Sequence, residues 1–118
     1  MKTSIRRSTG EQYFGVEITP DGKLIVAERS NGGALPPKSF PAGDSGARAL
    51  REHIEGECGH PHVCIKACGA AALALAAALV PVPGVEVTLV APRSLQDRPA
   101  ASAEEVAVRL ARLAERLF

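Results

Sequence analysis

Five side chains able to bind a soft metal fall within eleven residues: Cys58, His60, His62, Cys64 and Cys68. Thiolates and imidazoles are the ligands that zinc prefers. If the stretch is fully extended, residues 58, 60, 62 and 64 share one face. The spacing matches no CxxC-type zinc module, however, and Pro61 is expected to interrupt the strand. Alternate residues on one strand also close poorly into a tetrahedron. The competing expectation is a loop with exposed histidines, followed by cysteines buried as small hydrophobes. His60 and His62 are also the side chains that a pH response would use. A thiolate nucleophile could pair Cys64 or Cys68 with His53, His60 or His62, but nothing positions a third group to orient such a pair.

The charged residues offer two more constellations. Glu104 and Glu105 open the last helical stretch. Adjacent helical residues point about 100° apart, so this pair suits capping and the helix dipole better than one shared cation. Arg93, Arg98, Arg109, Arg112 and Arg116 are candidates for one basic patch that engages nucleic acid. The competing expectation is a solvated helix face, diluted by Glu115. A net charge of +1 excludes a protein that grips nucleic acid over its whole surface. A single Tyr leaves little to stack on unpaired bases. Asn31-Gly32-Gly33 lacks the Lys-Ser/Thr and the following helix of a phosphate loop.

At 118 residues the chain is expected to be one domain with a real core. Aromatics are only 3%, so Ala, Val, Leu and Ile must build that core. Three cysteines, with no signal peptide ahead of them, suggest reduced thiols in the cytoplasm. The apolar run Ala70–Val80 is too short to span a bilayer, so no membrane partner is expected.

These residues need elements to position them. Residues 1–10 are polar and expected to be loose. Tyr13–Thr19 reads as a strand, Pro20-Asp21-Gly22 as a turn, and Lys23–Ser30 as the returning strand of a hairpin. After a turn at Asn31-Gly32-Gly33, Leu35–Phe40 is a third strand. Pro36 and Pro37 confine it to an edge. Asp44 or Ser45 caps a helix running to about Glu55, with Ala47, Leu50 and Ile54 on its apolar stripe. His62–Lys66 is a short strand. Ala70–Val80 is a helix apolar on nearly every face, which predicts burial. Val85–Val90 is a strand of a buried sheet. Ser102 and Glu105 form a capping box for the last helix, whose apolar face is Val106, Leu110, Leu113 and Leu117. Three antiparallel strands followed by alternating helices and strands give an α/β fold. Its five-stranded mixed sheet carries helices on both faces and is RNase H-like in layout.

Three segments then come in a telling order. Tyr13-Phe14-Gly15-Val16-Glu17-Ile18-Thr19 opens the domain. Cys64-Ile65-Lys66-Ala67-Cys68-Gly69 lies mid-chain, and Val90-Ala91-Pro92-Arg93 follows. This succession resembles the amino-terminal, RuvC-like domain of the DEDD-type transposases of bacterial insertion sequences, from about Tyr13 to Phe118. The resemblance implies a set of carboxylates holding Mg²⁺ or Mn²⁺, because two-metal phosphodiester chemistry stabilises both the attacking and the leaving oxygen. It places the family's first acid at Glu17, in Gly15-Val16-Glu17. The second falls at Lys66, and the last two at Ala103 and Val106. The family's second domain, with its catalytic serine, has no counterpart here. The resemblance also implies that the arginine-bearing region helps engage nucleic acid, guide RNA included.

The expectation is therefore a catalytically degenerate domain with no catalytic residue assigned and no cofactor. It would bind nucleic acid or protein, with a second copy or an intact transposase relative among its partners. The alternative is a metal-dependent nuclease or transposase fragment using Glu17 with Glu104 or Glu105 and Mg²⁺ or Mn²⁺. For Lys66 two outcomes stand side by side. It meets Glu17 across the sheet and replaces a cation, or it snorkels to solvent at the strand end.

Overall fold

A computed structural model describes residues 11–30, 33–56, 59–67, 69–92 and 102–117. Its elements are β1 (Glu11–Ile18), β2 (Leu24–Ser30), β3 (Gly33–Phe40), α1 (Asp44–Glu55), β4 (His60–Lys66), α2 (Ala70–Leu79), β5 (Glu86–Val90) and α3 (Ala103–Leu117). One five-stranded sheet has the order β3-β2-β1-β4-β5. β1 pairs antiparallel with β2 and parallel with β4, and β5 pairs parallel with β4. This is the RNase H-like arrangement expected from the sequence. The polar residues 1–10 and the Asn31-Gly32 part of the second turn lie outside the described residues.

The β1–β2 turn is closed from within. Gly22 takes φ +91°, which a side chain would resist, and donates its N–H to the Thr19 carbonyl at 2.8 Å. Lys23 donates its N–H to Thr19 Oγ1 at 3.1 Å, and the Thr19 hydroxyl donates to Asp21. That bond holds the exposed Asp21 carboxyl below its usual range. On the far edge, the β2–β3 register slips between Val26 and Glu28, so Pro36 and Pro37 both fall opposite Ala27. The prolines therefore sit in a bulge on an edge strand, where a missing N–H breaks no regular ladder.

The two faces of the sheet are filled differently. Phe14, Val16, Leu24, Val26, Val63 and Ile65 meet Leu50 and Ile54 of α1 and Leu75 and Leu79 of α2. Each fully buried large aliphatic there stabilises by about 1.5–3 kcal/mol. On the other face, Ile25, Ala27, Cys64 and Val90 meet Ala107, Leu110, Ala111 and Ala114 of α3. Gly15 explains the alanines. A Cβ on it would stand 2.1 Å from the Ala107 carbonyl oxygen and 2.3 Å from the Ala111 nitrogen. The helix backbone lies directly on the strand.

Four expectations are corrected. The buried stripe of α3 keeps only Leu110 of the expected face and adds Ala107, Ala111 and Ala114, because the helix backbone at Ala107 and Ala111 lies directly on Gly15. Val106 and Leu113 flank the stripe half-buried, and Leu117 is 53% exposed. α2 is not buried all round. It covers the sheet with Ala72, Leu75 and Leu79 and leaves Leu73 62% exposed, since nothing among the described residues packs on its outer side. The strand expected in a buried sheet, β5, lies at the sheet edge and is fully buried only at Val90. Neither Asp44 nor Ser45 caps α1: the cap is Gly43, with no side-chain bond, and Asp44 is already helical. Among the described residues, no helix is long and apolar enough to cross a membrane.

Gly15→Ala should strain the seat of α3 while the helix stays docked, at a cost of about 1–3 kcal/mol or more. Urea denaturation of the variant is expected to give a lower midpoint with an unchanged slope.

Candidate functional site

Residues 15 and 17 of β1 point to the same face of the sheet, the one under α3. So do Cys64 and Lys66 of β4. The carboxyl ends of these parallel strands therefore bring Glu17 and Lys66 together. The Lys66 ammonium donates to Glu17 Oε2 at 3.2 Å. The Glu17 side chain is 12% exposed and that of Lys66 27%, so the pair is largely out of water. The ion pair, not the snorkelled lysine, is the observed outcome. Glu17 Oε1 is buried and accepts no hydrogen bond from the described residues.

α3 supplies the surroundings of the pair. Ala103 packs with the Ile25–Ala27 cluster, and Ile25 is the cross-strand partner of Glu17. Val106 packs with the Cys64–Val90 cluster, and Val90 is the strand partner of Lys66. Ala103 thus packs in the cluster that holds the strand partner of Glu17, and Val106 in the one that holds the strand partner of Lys66. The helix-start glutamates do not join them. Glu104 is exposed. Glu105 receives Arg109 at 2.9 Å, and its backbone N–H donates to Ser102 Oγ at 3.1 Å, the Ser102 half of the expected capping box. Among the described residues, the pair itself carries one carboxylate balanced by one ammonium.

The zinc candidates separate. Pro61 does not interrupt β4. It pairs with Gln12 and precedes the first β4–β5 pair, His62 with Glu86, so its missing N–H falls where β4 has only one neighbour. His60, His62 and Cys64 do share a face, yet they do not converge. His60 is exposed. The His62 ring is nearly buried, with Nε2 2.7 Å from Glu11 Oε1 and Nδ1 3.6 Å from Glu86 Oε1. Carboxylates on opposite ring nitrogens cannot meet at one ion. The Tyr13 ring stacks on His62 at 5.5 Å, and its hydroxyl donates to Glu11. Burial, with the Glu11 charge and bond, raises the Tyr13 pKa. Cys64 lies fully buried under α3, and burial pushes its thiol up to about 11. Near neutral pH that thiol is protonated and packed away from water, the opposite of an exposed thiolate nucleophile. Cys58 and Cys68 lie outside the described residues. Among the described residues, no three His, Cys, Asp or Glu side chains group to hold a metal.

The expected arginine patch is divided. Arg93 and Arg98 lie outside the described residues. Arg109 is engaged by Glu105, while Arg112 and Arg116 are exposed. Glu115 does not merely dilute the patch: it receives Arg29 of β2 at 2.9 Å. Sequence reasoning also missed Glu28, a buried carboxylate on β2 paired with His53 of α1 at 3.2 Å. Its signal was parity, since Glu28 falls on the face of Leu24 and Val26.

Two measurements check this site. Lys66→Ala strands the Glu17 carboxylate and should cost about 1–3 kcal/mol. Lys66→Met with Glu17→Gln should recover part of that loss, and a double-mutant cycle by chemical denaturation reads the coupling. For Cys64, the unfolded chain releases the thiol proton from about pH 9 while the folded chain keeps it to about 11. The stabilising contribution is therefore complete below pH 9 and lost as pH rises to about 11. The decline in stability over that window should be shallower in Cys64→Ala.

No protein-family model matches this chain, and no curated protein matches it.

Proposed function

We propose that this chain is a catalytically degenerate domain of the RuvC-like, transposase type that works as a protein-interaction module rather than a nuclease. The observation that carries the reading is the Lys66 ammonium 3.2 Å from Glu17. It occupies, at the carboxyl ends of the two central parallel strands, the place where such chemistry needs a metal ion. Ala103 and Val106 offer only carbon. Two-metal catalysis needs several carboxylates around the ions, and among the described residues Glu17, already neutralised by Lys66, does not provide them.

The surface supports binding to protein over nucleic acid. Arg109 is tied to Glu105 and Arg29 to Glu115, which leaves Arg112 and Arg116 as the exposed cations of described α3. Against this thin basic strip stands α2, a helix without a charged residue whose outer side is open. A contiguous apolar patch exposed to water marks an interaction surface, and Leu73 and Val80 are each 62% exposed along this segment.

Metal titration followed by thermal melting tests the proposal, because specific binding raises the melting temperature by linkage. Millimolar Mg²⁺ or Mn²⁺ is expected to leave the wild-type melting temperature unchanged. Combined Lys66→Asp, Ala103→Asp and Val106→Asp substitutions are expected to create a metal-dependent rise. A rise in the wild type that disappears in Glu17→Gln would overturn the reading in favour of a metal-dependent nuclease.

A further inference from the structure

The strongest feature outside the Glu17–Lys66 site is a groove of about 300 Å³ between α1 and α2. Its floor is Ile18, Leu24 and Leu75. The α2 lip consists of Ala71, Ala74 and Ala78, short enough for another backbone to come close. The α1 lip is different. Ala47 lines it inside, and Arg48 and Arg51 stand above. Three positions apart, these arginines share one side of the helix.

The charges of this groove are not balanced from within. Among the described residues Arg48 has no ion-pair partner, although Asp44 lies one turn before it on the same lip. Arg51 meets only Glu55 of its own helix, at 3.2 Å, with both side chains roughly half exposed. α2 is Ala-Ala-Ala-Leu-Ala-Leu-Ala-Ala-Ala-Leu and has no carboxylate to offer across the gap. The groove runs the length of α2, from Ala71 to Ala78, and reaches the first turn of α1, where Asp44 already answers the positive end of the dipole, so its cationic character rests on Arg48 and Arg51. An apolar trough with one cationic lip calls for an occupant that is apolar on one side and anionic along one margin.

We propose that the groove receives one helix of a partner protein, with aliphatic side chains on the floor and carboxylates one turn apart on Arg48 and Arg51. A helix fits because the groove runs between two helices and its alanine lip allows close packing. The inference rests on the binding-module reading above and names the chemistry of the partner. It differs in its test, which involves neither Glu17 nor metal.

The experiment selects binders from a randomised peptide library displayed on phage, with the wild-type chain as bait. The enriched peptides are then synthesised and titrated by fluorescence anisotropy. Expected are peptides with Leu, Ile or Phe at helical spacing and Glu or Asp one turn apart. Arg48→Glu with Arg51→Glu should weaken their binding about tenfold or more. Lysine in place of the peptide's acids should do the same, a control that leaves the protein untouched. Ala74→Glu, at an exposed position, should block the groove.

Enriched peptides without acids, binding indifferent to these changes, or no enrichment would overturn the proposal. So would a concentration-dependent dimer in sedimentation that Ala74→Glu abolishes, since it would give the groove to a second copy. Any of these would leave the metal titration, and the reading it tests, standing by itself.

Discussion

The seat of α3 on Gly15 governs this molecule. With no Cβ between them, strand and helix touch backbone to backbone. The approach is close enough that only alanines fit along most of the contact, at Ala107, Ala111 and Ala114. Because the helix sits so low, its amino-terminal turns come down beside the carboxyl ends of β1 and β4. Ala103 and Val106 are thereby brought to the clusters that hold the strand partners of Glu17 and Lys66. A glycine in the middle of a strand weakens that strand on its own account. Here the weakness is offset by the buried face it opens.

A second regularity runs through the sheet. Its inward-facing ionisable side chains are handed to ionisable partners on other elements. Glu28 of β2 takes His53 of α1, and Arg29 takes Glu115 of α3. Glu17 of β1 takes Lys66 of β4, and His62 of β4 lies between Glu11 and Glu86 on its two neighbours. Breaking any one by truncation leaves a charge or polar group in poor solvent. Such pairs discriminate against register slips, because a shift of one residue would turn each partner to the opposite face.

Much of the fold was legible in the sequence because it rests on local signals. Pro20-Asp21-Gly22 marks the hairpin, Pro36-Pro37 an edge, and Ser102 with Glu105 the start of the last helix. Each acts within a few residues. The site was legible in part: Glu17 and Lys66 lie on strands whose adjacency follows from the order of elements. What escaped depends on height and distance. The α3 stripe was misplaced because large apolar residues are the natural choice for a buried face, and nothing local says that the helix backbone lies directly on Gly15. The partnerships of Arg29 with Glu115 and of His62 with Glu11 join residues far apart in the chain, which periodicity cannot reach. The apolar run of α2 suggested burial, since composition cannot tell a helix with two neighbours from one with a single neighbour.

The neutral pair at Glu17 and Lys66 also shapes the mutational paths open to this chain. Replacing Lys66 alone by an acid would place two carboxylates together, between aliphatic neighbours, with too few ligands to hold ions between them. Like charges held that close raise one another's pKa and destabilise the fold. Placing an acid first at Ala103 or Val106 would set charge against the apolar packing under α3. Every first step towards a carboxylate cluster therefore descends in stability before a metal can repay it. An ion pair of modest strength thus acts as a ratchet, holding the domain on the side of sequence space where its surfaces, and not its strand ends, are free to change.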